Sequence, residues 1–245
     1  MAFESLREDV WQANKAIVEA GLVELTWGNA SGVDREADVL VIKPSGIDYS
    51  RITPSDLVVV SLETGEVVEG ELQPSSDTPT HRYLYRQFET IGGIVHTHSS
   101  HAVIWAQAER DLPCLGTTHA DHFHGPIPVT RRMQEMEIQD AYEENTGVVI
   151  VERFRVADVN PERVPGVLVA GHGPFAWGPT PREAAENAVA LEAVARMALH
   201  TYALNPDVRP LDQVLLDKHF LRKHGADAYY GQREANKEEQ KGEKG

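Results

Sequence analysis

Two histidines, His96 and His98, close an apolar run that starts at Gly92, with one residue between them. If Ile94 to His98 is a strand, side chains two apart leave the same face, so both imidazoles point into one space. Alone, such a pair is equally an ordinary polar strand end. His172 offers a third ligand: it follows the apolar run Val167 to Ala170 and sits between Gly171 and Gly173, which allow close approach. By itself it reads as a turn histidine. With the pair it completes an imidazole triad that leaves a position open for water or substrate, as catalytic zinc sites do. Asp77, after two serines and before a helix, is the candidate carboxylate, or alternatively that helix's cap. Three imidazoles and a carboxylate suit Zn²⁺, with Mn²⁺ or Co²⁺ as substitutes by ligand type.

A second set of residues carries donors. Gly28-Asn29, Lys43 with Ser45-Gly46, and Ser75-Ser76 offer backbone N–H, hydroxyl and ammonium groups that jointly could cradle a phosphate, although each alone is a common turn. No Walker loop or dinucleotide fingerprint occurs, which argues against a nucleotide enzyme. The 38 acidic against 23 basic residues, a net charge of -15, argue against nucleic-acid binding. A local basic cradle for a small phosphate ester remains compatible with that charge. Cys114 is the only cysteine, so a disulfide within the chain and a thiolate metal cluster are both excluded and any metal must use nitrogen and oxygen ligands. Residues 1–21 alternate charged and apolar positions, as neither a signal peptide nor a membrane span does. The expectation is a soluble, cytoplasmic protein.

The elements that must position these groups follow from periodicity. Leu6, Val10, Ala13, Ile17 and Ala20 predict an amphipathic first helix over 3–20. Strands are predicted at Leu22 to Thr26, Asp38 to Ile42, Val58 to Leu62 and Glu66 to Val68, with Trp27 to Gly32 as a turn. Thr78-Pro79 opens a helix, Ser99 another, and Gly116 to Pro128 reads as a histidine-bearing loop. Gln134 to Asn145 predicts helix, Val148 to Val151 and Val167 to Ala170 strand, and helices follow from Thr180 and over Leu211 to His224. From Gln232 the chain is too polar to bury a core, so residues 232–245 are expected to be a disordered tail. No repeat or linker divides the rest, which reads as one α/β domain over 1–231.

Several strings then carry a resemblance. Trp27-Gly28-Asn29, Lys43-Pro44-Ser45-Gly46, Pro74-Ser75-Ser76-Asp77-Thr78-Pro79-Thr80-His81, His96-Thr97-His98 and Gly116-Thr117-Thr118-His119-Ala120-Asp121 are the first five. Gly173-Pro174-Phe175-Ala176-Trp177-Gly178 and Asp217-Lys218-His219 through Tyr229-Tyr230-Gly231 complete the set, in order, up to the tail. Together they resemble the L-ribulose-5-phosphate 4-epimerases of the class II aldolase and epimerase superfamily. The resemblance implies a three-layer αβα domain around a mostly antiparallel sheet, and a homotetramer with active sites at subunit interfaces. It implies interconversion of L-ribulose 5-phosphate and D-xylulose 5-phosphate, by retro-aldol cleavage of C3–C4, rotation of the aldehyde and re-addition, in carbohydrate metabolism such as L-arabinose catabolism. It makes His96, His98 and His172 zinc ligands with Asp77 on or near the metal, and Gly28, Asn29, Lys43, Ser45, Gly46, Ser75 and Ser76 the phosphate and substrate cradle. Asp121 and a neighbouring subunit's Tyr230 become the acid/base pair, with His219 and Arg222 supporting. The chain departs where Ala170-Gly171 replaces residues often polar in relatives, and where His124 replaces a common aromatic. Two alternatives stand beside this reading. One is a class II aldolase that releases dihydroxyacetone phosphate, whose members tend to carry Glu where this chain has Asp77. The other is a cupin-like metal protein, which the helical stripes oppose.

Overall fold

Runs rich in β-branched residues, Val39–Ile42 and Val58–Ser61, form strands buried on both faces, and the small-residue segment Asn29–Asp34 joins them in the sheet. The computed structural model describes residues 3–225, 228 and 229. Its strands are β1 (Asn29–Asp34), β2 (Val39–Ile42), β3 (Val58–Ser61), β4 (Val67–Glu69), β5 (Gly93–His96), β6 (Gly166–Leu168) and β7 (Pro174–Gly178). They make one seven-stranded sheet in the order β4-β3-β2-β1-β5-β7-β6. Every pairing in it is antiparallel. The helices are α1 (Glu4–Glu19), α2 (Thr78–Gln87), α3 (Ser100–Gln107), α4 (Thr117–Ala120), α5 (Glu135–Val156), α6 (Pro181–Leu204) and α7 (Gln213–His224).

Alternation along the strands divides the core in two. Leu40, Ile42, Val58, Val60, Ile94, Phe175 and Trp177 face a large cluster built with α2, α3, α5 and the later turns of α6. Ala30, Val95 and Ala176 face α1 and the first turns of α6, and Val39, Val41 and Val59 pack with Val10 of α1. Helices therefore cover both faces, as the αβα reading requires. Among the described residues no helix is long and apolar enough to cross a membrane.

Three local expectations are corrected. Leu22 to Thr26 is a loop that ends in a turn at Leu25-Thr26, not a strand, and Leu25 takes a positive φ of 55°. The segment expected as a turn instead supplies β1, a central strand whose Ala30 and Gly32 face α1 and the start of α6 while Ser31 bonds His81 and Tyr85 of α2 on the other face. Val148 to Val151 lies inside α5, where Val149, Ile150 and Val151 are buried; packing overrides the strand preference of β-branched residues. The proposed tail, 232–245, lies outside the described residues.

Candidate functional site

The sheet register assembles the first part of the site. Asn29 of β1 pairs with His96 of β5, and His96 pairs with Phe175 of β7, so the three side chains form a row across one face. The His96 ring stacks on Phe175 with centroids 4.2 Å apart. Its Nδ1 donates to the Pro174 carbonyl at 2.9 Å, which fixes the tautomer and leaves Nε2 with a free lone pair. Strand β5 stops at His96, two residues short of the expected end, yet His98 still folds toward it: the two Nε2 atoms are 3.2 Å apart. Two lone pairs at that distance repel unless a proton or cation lies between them. Zinc–nitrogen bonds in a tetrahedral site set ligand nitrogens about 3.3 Å from one another, so the pair fits a divalent ion.

His172 arrives from the turn between β6 and β7, where Gly171 takes φ 70°, open to glycine at little cost. Its ring centroid lies 4.8 Å from that of His96 and 5.1 Å from that of His98. The ligand atoms of the three histidines all lie within 4.8 Å of one another, so they could hold a metal ion. Burial, then the neighbouring imidazoles, push the His172 pKa down to about 4. Burial lowers those of His96 and His98 as well. At neutral pH all three are neutral donors, the form a metal needs.

Asp77 stands at the N-terminus of α2 without capping it. Its carboxylate instead accepts from Asn29 Nδ2 at 2.7 Å, and the same amide reaches Ser75 Oγ at 3.0 Å. Burial pushes the Asp77 pKa up, but His96, His81 and the Asn29 amide outweigh it and hold the carboxyl below its ordinary value. Asp77 lies outside the converging imidazole set but lines the same cavity of about 600 Å³. Gly28, Asn29, Lys43, Ser45, Gly46, Ser75, Ser76, His98 and His172 line it too. Gly28 takes φ 83°, and a Cβ there would lie 2.7 Å from the His96 carbonyl oxygen. Lys43 is only 2% exposed, and its ammonium makes one hydrogen bond, to the Pro44 carbonyl at 3.2 Å. Among the described residues no carboxylate is within ion-pair distance of it. Burial draws its pKa down to about 8. Asp48 acts on this ammonium through space without forming an ion pair, so the ammonium's charge can draw an anion toward the cavity.

Sequence reasoning overlooked four neighbours. Tyr142 and Glu143 line the cavity just past Ala141, where α5 breaks with φ -146° and ψ 66°, and the Tyr142 hydroxyl is 3.4 Å from His172 Nδ1. Tyr49 packs under Lys43. His81 is fully buried, with Nδ1 2.7 Å from Ser31 Oγ and Nε2 unpartnered among the described residues. Its position four residues after Asp77 on α2, hence on the same helical face, was the available signal.

Asp121 belongs to a different cluster. It ends α4 and accepts from His219 Nδ1 at 3.0 Å and from Arg222 Nη2 at 2.9 Å on each oxygen, both donors coming from α7. Burial raises its pKa, but His219 and Arg222 outweigh that and lower it. Asp121 lines a second cavity of about 450 Å³ with His122, Lys223 and His224, not the cavity of the triad. Tyr230 lies outside the described residues. His124, one of the departures, is tied to Asp217 at 2.6 Å.

Residues 8–199 match the family described as Class II Aldolase and Adducin N-terminal domain. Over 230 residues the chain is 51% identical to the L-ribulose-5-phosphate 4-epimerase UlaF of Salmonella paratyphi A (strain ATCC 9150 / SARB42), covering 94% of this chain and 100% of that protein. The same figures hold for the protein of that name from Salmonella typhi. Among solved structures, an L-fuculose 1-phosphate aldolase superposes with a TM-score of 0.75 at 26% identity, over 89% of this chain and 96% of that one. The antiparallel sheet, the imidazole triad at the end of its strand β5 and the extent of these matches make the chain a member of the class II aldolase family, among its L-ribulose-5-phosphate 4-epimerases.

Proposed function

We propose that the chain is a metal-dependent epimerase that interconverts L-ribulose 5-phosphate and D-xylulose 5-phosphate. The observation that carries this reading is one cavity lined both by His98 and His172 of the converging imidazole triad and by the buried ammonium-bearing Lys43. A ketose phosphate has matching ends. A divalent cation held by His96, His98 and His172, zinc by donor type, would supply Lewis-acid stabilisation of negative charge on vicinal oxygens.

The chemistry of the substrate fixes what the chain must do. The C4 hydrogen is not adjacent to the C2 carbonyl, so removing it gives no stabilised carbanion. Breaking C3–C4 leaves the electron pair on an enediolate and releases glycolaldehyde phosphate. Re-addition to the opposite face of that aldehyde inverts C4. Lys43, Asn29 and Ser75, with the loops at Gly28, Ser45-Gly46 and Ser76, hold the phosphate so that the aldehyde turns without leaving. The C4 hydroxyl gives up its proton on cleavage and regains one on re-addition, so an acid/base group is needed on each face. Asp121 and the partner subunit's Tyr230 take these roles, with His219 and Arg222 orienting Asp121. Because Asp121 faces a cavity other than that of the triad in its own protomer, the reading includes a homotetramer whose sites form between subunits.

The test is removal and return of metal. Chelation should abolish formation of D-xylulose 5-phosphate from L-ribulose 5-phosphate, and zinc should restore it. Chelation-resistant turnover, or none with metal present, overturns the proposal. A second reading, sugar-phosphate cleavage as in an aldolase, draws on the likeness to the L-fuculose 1-phosphate aldolase. With a ketose 1-phosphate supplied in place of L-ribulose 5-phosphate, it predicts net accumulation of dihydroxyacetone phosphate.

A further inference from the structure

Lys43 has a long flexible stem and one hydrogen bond, too little to hold an ammonium in one place. The aromatic ring of Tyr49 supplies a second hold, with Nζ 4.5 Å from its centroid. The hydroxyl of that tyrosine reaches another lining segment of the cavity, donating to the Gly28 carbonyl at 2.7 Å with the Trp27 carbonyl oxygen 3.3 Å away. Trp27 and Gly28 belong to no helix or strand, so this bond ties a loop that lacks a ladder of its own. Burial, then Asp77, raise the Tyr49 pKa, so the hydroxyl keeps its proton and stays a donor.

We infer that Tyr49 is a positioning residue for phosphate recognition: its ring seats the Lys43 ammonium and its hydroxyl pins the Trp27–Gly28 backbone, fixing two walls of the cradle at one separation. This rests on the reading of the cavity as a phosphate cradle. Two variants separate the roles, since Tyr49→Phe keeps the ring and loses the hydroxyl, whereas Tyr49→Leu loses both.

With the full-length, metal-loaded protein, KM and kcat for L-ribulose 5-phosphate and the inhibition constant for inorganic phosphate are measured alongside Lys43→Met. Tyr49→Phe should raise KM and the phosphate inhibition constant together by roughly 3- to 10-fold, more than kcat falls. Tyr49→Leu should raise them further, by roughly 10- to 30-fold in all. If Tyr49→Leu does not fold, Tyr49→Phe decides. A purely structural role lowers the melting temperature without moving the phosphate constant, and that result overturns the inference. If Lys43→Met abolishes phosphate inhibition while both Tyr49 variants keep it, Tyr49 has no such role and the cradle stands. If Lys43→Met leaves phosphate inhibition intact, the cradle reading fails and this inference with it.

Discussion

Burial gives Lys43 a chemistry that an exposed lysine lacks. Its pKa is drawn down to about 8, so the free protein loses this charge as pH rises through that value. A phosphate monoester, whose second pKa is about 6, keeps its charge over the same interval. Affinity should therefore fall on the alkaline side: kcat/KM declines above about pH 8, and Lys43→Arg, which stays protonated, removes the decline even if it weakens binding overall. Steady-state profiles from pH 7 to 9.5 read this directly, and a wild-type profile flat across the range contradicts it. The histidine triad has the opposite habit, since lowered pKa values keep its imidazoles neutral, and proton competition for the metal begins only in acid.

At the scale of elements, the site depends on how closely the Trp27–Gly28 loop approaches the end of β5. A methyl group at Gly28 would collide with the His96 carbonyl oxygen at 2.7 Å, on a residue with φ 83°. Gly28→Ala should cost about 1–3 kcal/mol and displace Asn29 and His96 from their shared row. Thermal melting and metal stoichiometry both report it; an alanine variant that melts like the parent and binds a full complement of metal rules out the close-approach account. The sequence made α1 and α6 legible because their apolar stripes recur at helical spacing, and β2 and β3 because their side chains are large and β-branched. It hid β1, whose Asn-Ala-Ser-Gly segment has no hydrophobic alternation, and β7, which opens with a proline. Those two strands flank β5, so the reading that found the histidines missed the elements that aim them. The triad could be read from spacing and flanking glycines. The separation of Asp121 from it could not, because which cavity a loop residue faces is decided by long-range packing of α4 on α7.

For the whole molecule, the proposed interface site makes a prediction that one protomer cannot satisfy. If Asp121 and Tyr230 of one site come from different subunits, Asp121→Asn and Tyr230→Phe proteins are each inactive, but dissociating and reassociating them together should restore roughly a quarter of the sites. Activity that stays at the level of the separate variants points to sites built within one chain. The carbonyl of Pro174 has a different consequence at this scale. The acceptor that sets the His96 tautomer is a main-chain atom, so no change of side chain can delete it. Mutation can reach that bond only by shifting β7 itself, which would also unseat the buried Phe175 and Trp177. The orientation of the His96 ring is thus inherited with the fold, while the side chains of Asn29 beside it and of Tyr142 near His172 can vary separately.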